Sequence, residues 1–389
     1  MTEVVIAGAC RTPIGKYGRA FRNVEAVKLG SLVVAEAVRR TGLVGADIEE
    51  VILGNVIQAG LGQNPARQAA LTAGLPDRIG AVTINKVCAS GMKSVAIAAD
   101  AIRAGSEAVV VAGGMESMSR APYLVKEARW GIGYNHVPFV DAMVHDGLWD
   151  AYNQFHMGVT GEIVSERFKV SREDQDAFSL ESHRRAAQAT LEGKFREEIL
   201  PVELPGQARV ELDEGVRQDT SMEKLAKLPP VFRERGVVTA GNASQLSDGA
   251  SAMLVMSREA ADGHGVRPLA KIVDYVTAGV KPELVMEAPI PAVRKILKKT
   301  GLRIEDFDLI EHNEAYAAAS VAVMKELGID HAKFNVNGGA VAMGHPLGCS
   351  GARILTTLVY AMKDRNAKRG LATLCLGGGN AMAMILERP

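Results

Sequence analysis

Two hydrophobic patterns alternate along the chain. Short runs such as VVIAGAC, AVVVAGG (108–114) and LATLCLGG (371–378) are apolar at almost every position. Strands of that kind belong to sheets covered by helices on both faces, since a half-solvated strand would alternate apolar with polar. Between them lie longer stretches with helical spacing. The stretch from Ser90 to Ala104 carries Ala, Val, Ile and Met on most of its sides. A helix apolar all round must be buried all round. Two α/β halves that share a central helical layer satisfy both patterns.

An internal repeat supports the two halves. RRTGLVGADIEEVILGN, beginning at Arg39, is echoed by KKTGLRIEDFDLIEHN, beginning at Lys298. Each has a basic helix end, a Thr-Gly-Leu cap, an acidic first turn and an apolar strand ending in Asn. A second echo follows. VCASGMKSVAIAADAIRAGSEAVVVAGGMESM (87–118) matches GCSGARILTTLVYAMKDRNAKRGLATLCLGGGNAM (348–382) in order: Cys, then Ser-Gly opening an apolar helix, then a buried strand ending in Gly-Gly. From Gly42 to Gly91 is 49 residues, and from Gly301 to Gly351 is 50. The expected organisation is therefore an N-terminal half, 1–116 with 246–267, and a C-terminal half, 268–389. Residues 117–245 form an inserted lid or loop domain between them.

The insertion differs in texture. It holds both Trp, four of the eight His and charged helical stretches. A helix of about 24 residues is expected from Ser171, whose Ser-Arg-Glu-Asp start resembles a capping box without its spacing. Long insertions at strand ends usually build binding sites. The whole chain of 389 residues is 47% hydrophobic with 45 basic and 45 acidic residues. That suits a soluble globular protein with a large core and argues against nucleic acid or membrane as partner. The N-terminus enters a strand directly and no apolar run approaches about 20 residues, so a cytoplasmic location is expected.

Four cysteines stand at 10, 88, 349 and 375, with no CxxC pair and no histidine at zinc-ligand spacing, so no metal site is expected. Each is either a buried thiol or a nucleophile. NKVCASG puts Cys88 at a strand-to-helix turn, where unpaired amides and the helix dipole favour a thiolate and can hold an oxyanion. NGGAVAMGHPLG places His345 in the equivalent turn of the other half. If the halves pack about a pseudo-twofold axis, the two side chains face each other, as an activated nucleophile requires. Cys375 ends the last apolar strand before three glycines, where the Gly377 amide can reach an oxyanion. The block Glu311-His312-Asn313-Glu314 ends the repeated strand and calls for buried polar partners.

NKVCASGMK, HNEAYAA, NGGAVAMGHPLGCSG and CLGGGNAM, with RTPIGKYG, GGMESMSRAPY, HMGVTGE and VTAGNASQLSDGA, resemble the thiolases in order and spacing over essentially the whole chain. The resemblance implies a layered αβαβα fold and an acyl-transfer mechanism. Cys88 would be acylated, His345 would take its proton, and Cys375 would remove the α-proton of acetyl-CoA. Asn313 would hold a water that completes one oxyanion hole with His345, and the amides of Cys88 and Gly377 would form the other. The lid would grip coenzyme A: His156 and Met157 along the pantetheine and acyl pocket, Ser244, Ala240 and Gly241 on the pantetheine, Arg217 and Phe232 toward the adenine. Met286, Ala315 and Tyr316 would line the acyl pocket. No cofactor is implied, since the thioester supplies the activation, and homo-oligomers, dimers or tetramers, are usual.

The implied reaction is reversible condensation of two acetyl-CoA to acetoacetyl-CoA and CoA. A degradative 3-ketoacyl-CoA thiolase for longer chains is the main alternative, and a non-catalytic acyl-CoA- or lipid-binding protein is the alternative of another class. A decarboxylating condensing enzyme would carry histidine in place of Cys375. Three positions depart from the commoner pattern. Cys349 adds a thiol near His345, while Tyr316 and His312 are expected to alter the polarity of the acyl pocket.

Overall fold

The structure, a computed structural model, describes residues 2–204, 206 and 208–389. The N-terminal half contains β1 (Val4–Arg11), α1 (Ala26–Thr41), β2 (Glu50–Gly54), α2 (Pro65–Thr72), β3 (Gly80–Ile84), α3 (Ser90–Ala104) and β4 (Val109–Ser117). The chain leaves the sheet at Ser117 and returns as β5 (Ser247–Ser257). Then come β6 (Ala270–Gly279), α6 (Pro289–Thr300), β7 (Leu309–His312), α7 (Ala317–Leu327), α8 (Leu347–Asp364), β8 (Arg369–Leu376) and β9 (Asn380–Glu387); α4 and α5 belong to the intervening segment.

The strands run β3-β2-β4-β5-β1-β6-β9-β8-β7 across the sheet. Apart from the edge strand β3, which has no counterpart, that order reads the same from both ends once the repeat partners are matched, β2 with β7, β4 with β8, β5 with β9 and β1 with β6. The β2–β4 and β7–β8 pairs are parallel and the inner pairs antiparallel. The halves join where β1 meets β6 at only two residue pairs, Val5 with Lys271 and Ile6 with Ala270. Even local caps are duplicated. Gly42 and Gly301 end α1 and α6 in the left-handed conformation, and Asp47 and Asp306 each accept the backbone N–H three residues back.

Alternate strand residues feed different cores, which gives five layers. Val5, Val51, Val109 and Val111 face α1 and α2, whereas Ile6, Ile52, Val110 and Ala112 face α3 and α8. On the other half-sheet, Ala372, Leu374 and Met384 face the same central helices, and Leu371, Ala383 and Ile385 face α6 and α7. The expectation of all-round burial holds best for α8, where Leu347 to Met362 are all buried. In α3 the face with Lys93, Ile97 and Asp100 is partly open. The two central helices touch at glycines related by the repeat. A β-carbon on Gly91 would fall 2.6 Å from Ala352 N, and one on Gly351 would fall 2.4 Å from Met92 N.

The inserted segment contains α4 (Gly158–Phe168) and α5 (Arg172–Leu191). The α5 helix has 20 residues, shorter than expected, and its capping box is complete. Ser171 accepts from Asp174 N, and the Asp174 carboxylate accepts from Ser171 N. Asp174 therefore stands at the third position after the cap, the spacing that the box requires. A buried clamp ties the segment to β1: Arg11 donates to Glu198 at 2.6 Å and to both oxygens of Asp213 at 2.7 and 2.9 Å.

Gly351→Ala should lower unfolding free energy in urea by about 1–3 kcal/mol, because backbone, not a flexible side chain, opposes the added methyl. Gly263→Ala is the control. Nothing lies within 4 Å of a β-carbon there, and helix propensity gives a neutral or stabilising change. Equal effects at the two positions would remove the packing argument.

Candidate active site

Cys88 sits one residue ahead of the α3 cap, and the turn that presents it is held from behind. Ser90 Oγ accepts from Lys86 N at 2.8 Å and donates to Val87 O at 2.7 Å. Val87 lies at φ 47°. For a β-branched residue that costs roughly 1–3 kcal/mol, so the surrounding contacts must impose it. One such contact is Gly377, where a β-carbon would stand 3.3 Å from Val87 Cγ1. The absence of a side chain at 377 lets its amide reach the thiol. The N–H groups of Gly377 and of Cys88 itself favour the Cys88 thiolate, but burial dominates and pushes the thiol up to about 12. The amides act on the sulfur as expected of a helix end, and burial acts against them.

His345 is fixed with equal care. Two buried carboxylates brace its loop from either side: Glu314 accepts from Val341 N at 3.0 Å and Glu116 from Gly348 N at 2.8 Å. Gln245 O accepts from His345 N at 3.0 Å. The ring's tautomer follows from its neighbours. Ser350 Oγ donates its single proton to Pro346 O at 2.8 Å and also bonds His345 Nδ1. The hydroxyl must accept there, so Nδ1 carries the hydrogen and Nε2 the lone pair. Asn313 Nδ2 donates to that Nε2 at 3.3 Å, an arrangement that also settles which way the amide points. Burial, with the charge of Arg353 beside it, pushes His345 down to about 3, which keeps it neutral.

Cys375 ends β8 fully buried, its thiol 3.7 Å from Met286 Sδ. Burial raises it strongly, and a charge on Cys88 would raise it further. Cys88, His345, Cys375 and Gly377 line one inner cavity of 50 Å³, walled by Met157, Met286, Ala315 and Tyr316 among others. An outer cavity of 480 Å³ shares Leu148, Ser244 and Tyr316 with it, so the two adjoin at these residues. His156, Arg217, Phe232 and Ala240 line the outer one. Phe232 stacks on His156 at 4.9 Å and meets Tyr316 edge-on at 6.2 Å. Phe232 and Arg217, both expected toward the adenine, line the same outer cavity. Gly241 is off the wall, where a β-carbon would meet Leu225 and Leu228.

Several participants escaped sequence reasoning. Lys16 and Tyr17 line the outer cavity from the first half, and Leu148, which ends a π-helical turn (Met143–Leu148), forms the neck. Ser350 could have been found, since it repeats the Ser-Gly that follows Cys88. One expectation is corrected. His312 faces α7, bonded to Ser320 and stacked on Phe334, because it follows Glu311 on a strand and must point to the opposite face. It does not touch the acyl pocket. Cys349 is completely buried inside α8 and lines neither cavity. Among the described residues, no three His, Cys, Asp or Glu side chains gather as a metal site, and no helix is long and apolar enough to cross a membrane.

Comparison with known proteins agrees with this arrangement. Residues 4–259 match the thiolase N-terminal domain and 266–388 the thiolase C-terminal domain. The chain is 49% identical to the acetyl-CoA acetyltransferase of Syntrophomonas wolfei, covering 99% of both chains, and 49% identical to that of Pseudomonas aeruginosa over 100% of both. A Staphylococcus aureus protein described as a probable acetyl-CoA acyltransferase is 47% identical over 100% of both. The crystal structure of the Bacillus anthracis acetyl-CoA acetyltransferase superposes with a TM-score of 0.98 at 44% identity, over 100% of this chain and 99% of that one. With duplicated halves, a five-layered core and full-length relatives of this kind, the chain belongs to the thiolase family.

Proposed function

We propose that this protein is an acetyl-CoA C-acetyltransferase that condenses two acetyl-CoA reversibly to acetoacetyl-CoA and CoA through an acetyl group on Cys88. The observation that carries this reading is the inner cavity. It joins two thiols, one neutral imidazole and two free amides in 50 Å³. A cavity of about 150 Å³ holds a benzene ring, so this one suits an acyl group of two or three carbons. The outer cavity, with Lys16 and Arg217 on its wall, supports binding of the anionic CoA handle.

The protons balance as follows. His345 Nε2 takes the Cys88 proton as sulfur attacks the thioester carbon, and the amides of Cys88 and Gly377 hold the oxyanion. CoA leaves with the proton that His345 took from Cys88, and Cys375 then passes its own proton to His345 and becomes the thiolate. That loss is eased because Cys88 is now a neutral thioester and no longer opposes charge on Cys375. The Cys375 thiolate removes the α-proton of the second acetyl-CoA, while the protonated Nε2 of His345, no longer an acceptor for Asn313, and a water held by the freed Asn313 amide stabilise the enolate oxygen. The carbanion attacks the acetyl-Cys88 carbon, the C–S bond breaks, and Cys88 recovers its proton from His345. The activation is intrinsic to the thioester, so no cofactor is proposed.

We place the division between halves and insertion at 1–116 with 246–267, 117–245 and 268–389. A homo-oligomer, dimer or tetramer, in the cytoplasm completes the reading. Its support is the exposure of Trp130, Tyr134 and Phe139 on the insertion and of Val82 on the open edge of β3. Light scattering should give the mass of two or four chains; the mass of one chain would discard it.

Intact mass after mixing with acetyl-CoA should show an added acetyl group, absent in Cys88→Ser. Cys375→Ser should still gain the acetyl group but lose condensation by about 10²–10⁴-fold. A Cys375→Ser protein that fails to acetylate would overturn the division of labour between the thiols. Acylation should also be flat in pH. His345 stays neutral above pH about 3 and Cys88 stays protonated below about 12, so the wild-type rate should vary within about twofold from pH 5.5 to 8.5. His345→Ala leaves only the thiolate route, whose population rises about tenfold per pH unit below the thiol pKa. A wild-type rate that itself climbs tenfold per unit would exclude His345 as the base.

A further inference from the structure

The cavity wall contains one polar group that the proposed chemistry does not use. Tyr316 is only 8% exposed and lines both cavities. Its neighbours fix it in place. Phe232 meets the ring edge-on at 6.2 Å. A β-carbon on Gly161 would stand 3.2 Å from its Cγ. Its backbone pairs with Ala243 and caps α7, where Tyr316 O accepts from Ala319 N at 3.1 Å. The ring therefore cannot swing out of the neck, and among the described residues the hydroxyl has no hydrogen-bond partner. Tyr316 shares the inner cavity wall with the apolar Met157, Val285, Met286 and Leu148 and with Cys88, Ser244, His345 and Cys375. An unpartnered hydroxyl on a cavity wall is met by solvent alone until a ligand brings it an acceptor.

The other polar groups have tasks: the Cys88 and Gly377 amides meet the acyl oxygen, His345 and Asn313 meet the second thioester, and Ser244, which lines both cavities, is assigned to the pantetheine. We propose that the Tyr316 hydroxyl is a specificity determinant that donates a hydrogen bond to a neutral oxygen carried by the acyl group itself, favouring short hydroxyacyl thioesters over alkyl ones of the same size. This rests on the acyl-Cys88 reading above. Burial, and any charge on Cys375 or Cys88, keep the phenol protonated, and hence a donor. No Lys or Arg lines the inner cavity, so an anionic acyl group would be stranded there without a counter-charge. Selection by one buried hydrogen bond is stronger than selection by one methylene, because the wrong substrate leaves the donor unpaired.

The test uses hydroxyacetyl-CoA and propionyl-CoA, which differ only in OH for CH₃. Cys88 acylation is followed by intact mass, and each kcat/KM is divided by the rate of the same thioester with a free thiol, which removes intrinsic electrophilicity. Wild type should favour hydroxyacetyl-CoA by about tenfold or more after this correction, and Tyr316→Phe should bring the ratio to within about twofold of one. A wild-type ratio near one, or a ratio unmoved by Tyr316→Phe, would overturn the proposal; the wild-type measurement decides even if the variant does not fold. Absence of any acetyl adduct from acetyl-CoA would instead sink the acyltransferase reading.

Discussion

The site depends on the contact between Gly91 and Gly351. Two helices that begin at the two catalytic turns cross at a point where neither has a side chain, and each glycine lies over the other helix's backbone. Their separation fixes the distance between the N-termini of α3 and α8, and so between Cys88 and His345. Any residue with a β-carbon would push the helices apart and draw both turns off the common cavity. Because the glycines are repeat partners, the constraint acts equally on both halves. Buried apolar area supplies the cohesion around the crossing, but glycine decides the geometry.

Burial then sets the chemistry. Water exclusion raises both thiols and lowers the imidazole, so burial opposes a standing charge on any of the three. A site of this kind cannot rely on a standing thiolate; it moves protons at the moment of attack between groups already in place. The mutual opposition of Cys88 and Cys375 is useful for the same reason. Two ionised thiols in one small cavity are excluded, which orders the steps: charge reaches Cys375 only after the first sulfur is tied up as a thioester.

Much of this was legible in the sequence because the determinants are local or repeated. Thr-Gly-Leu caps, Ser-Gly helix starts and all-apolar strands mark the same elements in both halves, and the pseudo-twofold axis is enough to bring Cys88 and His345 to one cavity. The unread parts are long-range. Nothing near Arg11 signals that its partners are Glu198 and Asp213, some 190 and 200 residues away, and Lys16 reaches the outer cavity only because the insertion folds back over β1. His312 was a different kind of error, since strand alternation alone separates it from Glu311. The capping box at Ser171 was likewise readable, with Asp174 at the required third position.

The symmetry is broken where function needs it. Ser90 and Ser350 occupy matching positions, yet Ser90 spends both its bonds on backbone to hold a turn, while Ser350 spends one on an imidazole to hold a tautomer. The connection from β4 to β5 carries the whole insertion, while its counterpart from β8 to β9 is three glycines. The long connection builds the walls of the outer cavity, and the short one brings a bare amide to Cys88. A duplicated fold supplies two equivalent turns facing each other. A directional reaction, with substrate entering on one side and charge held on the other, requires that the two connections differ.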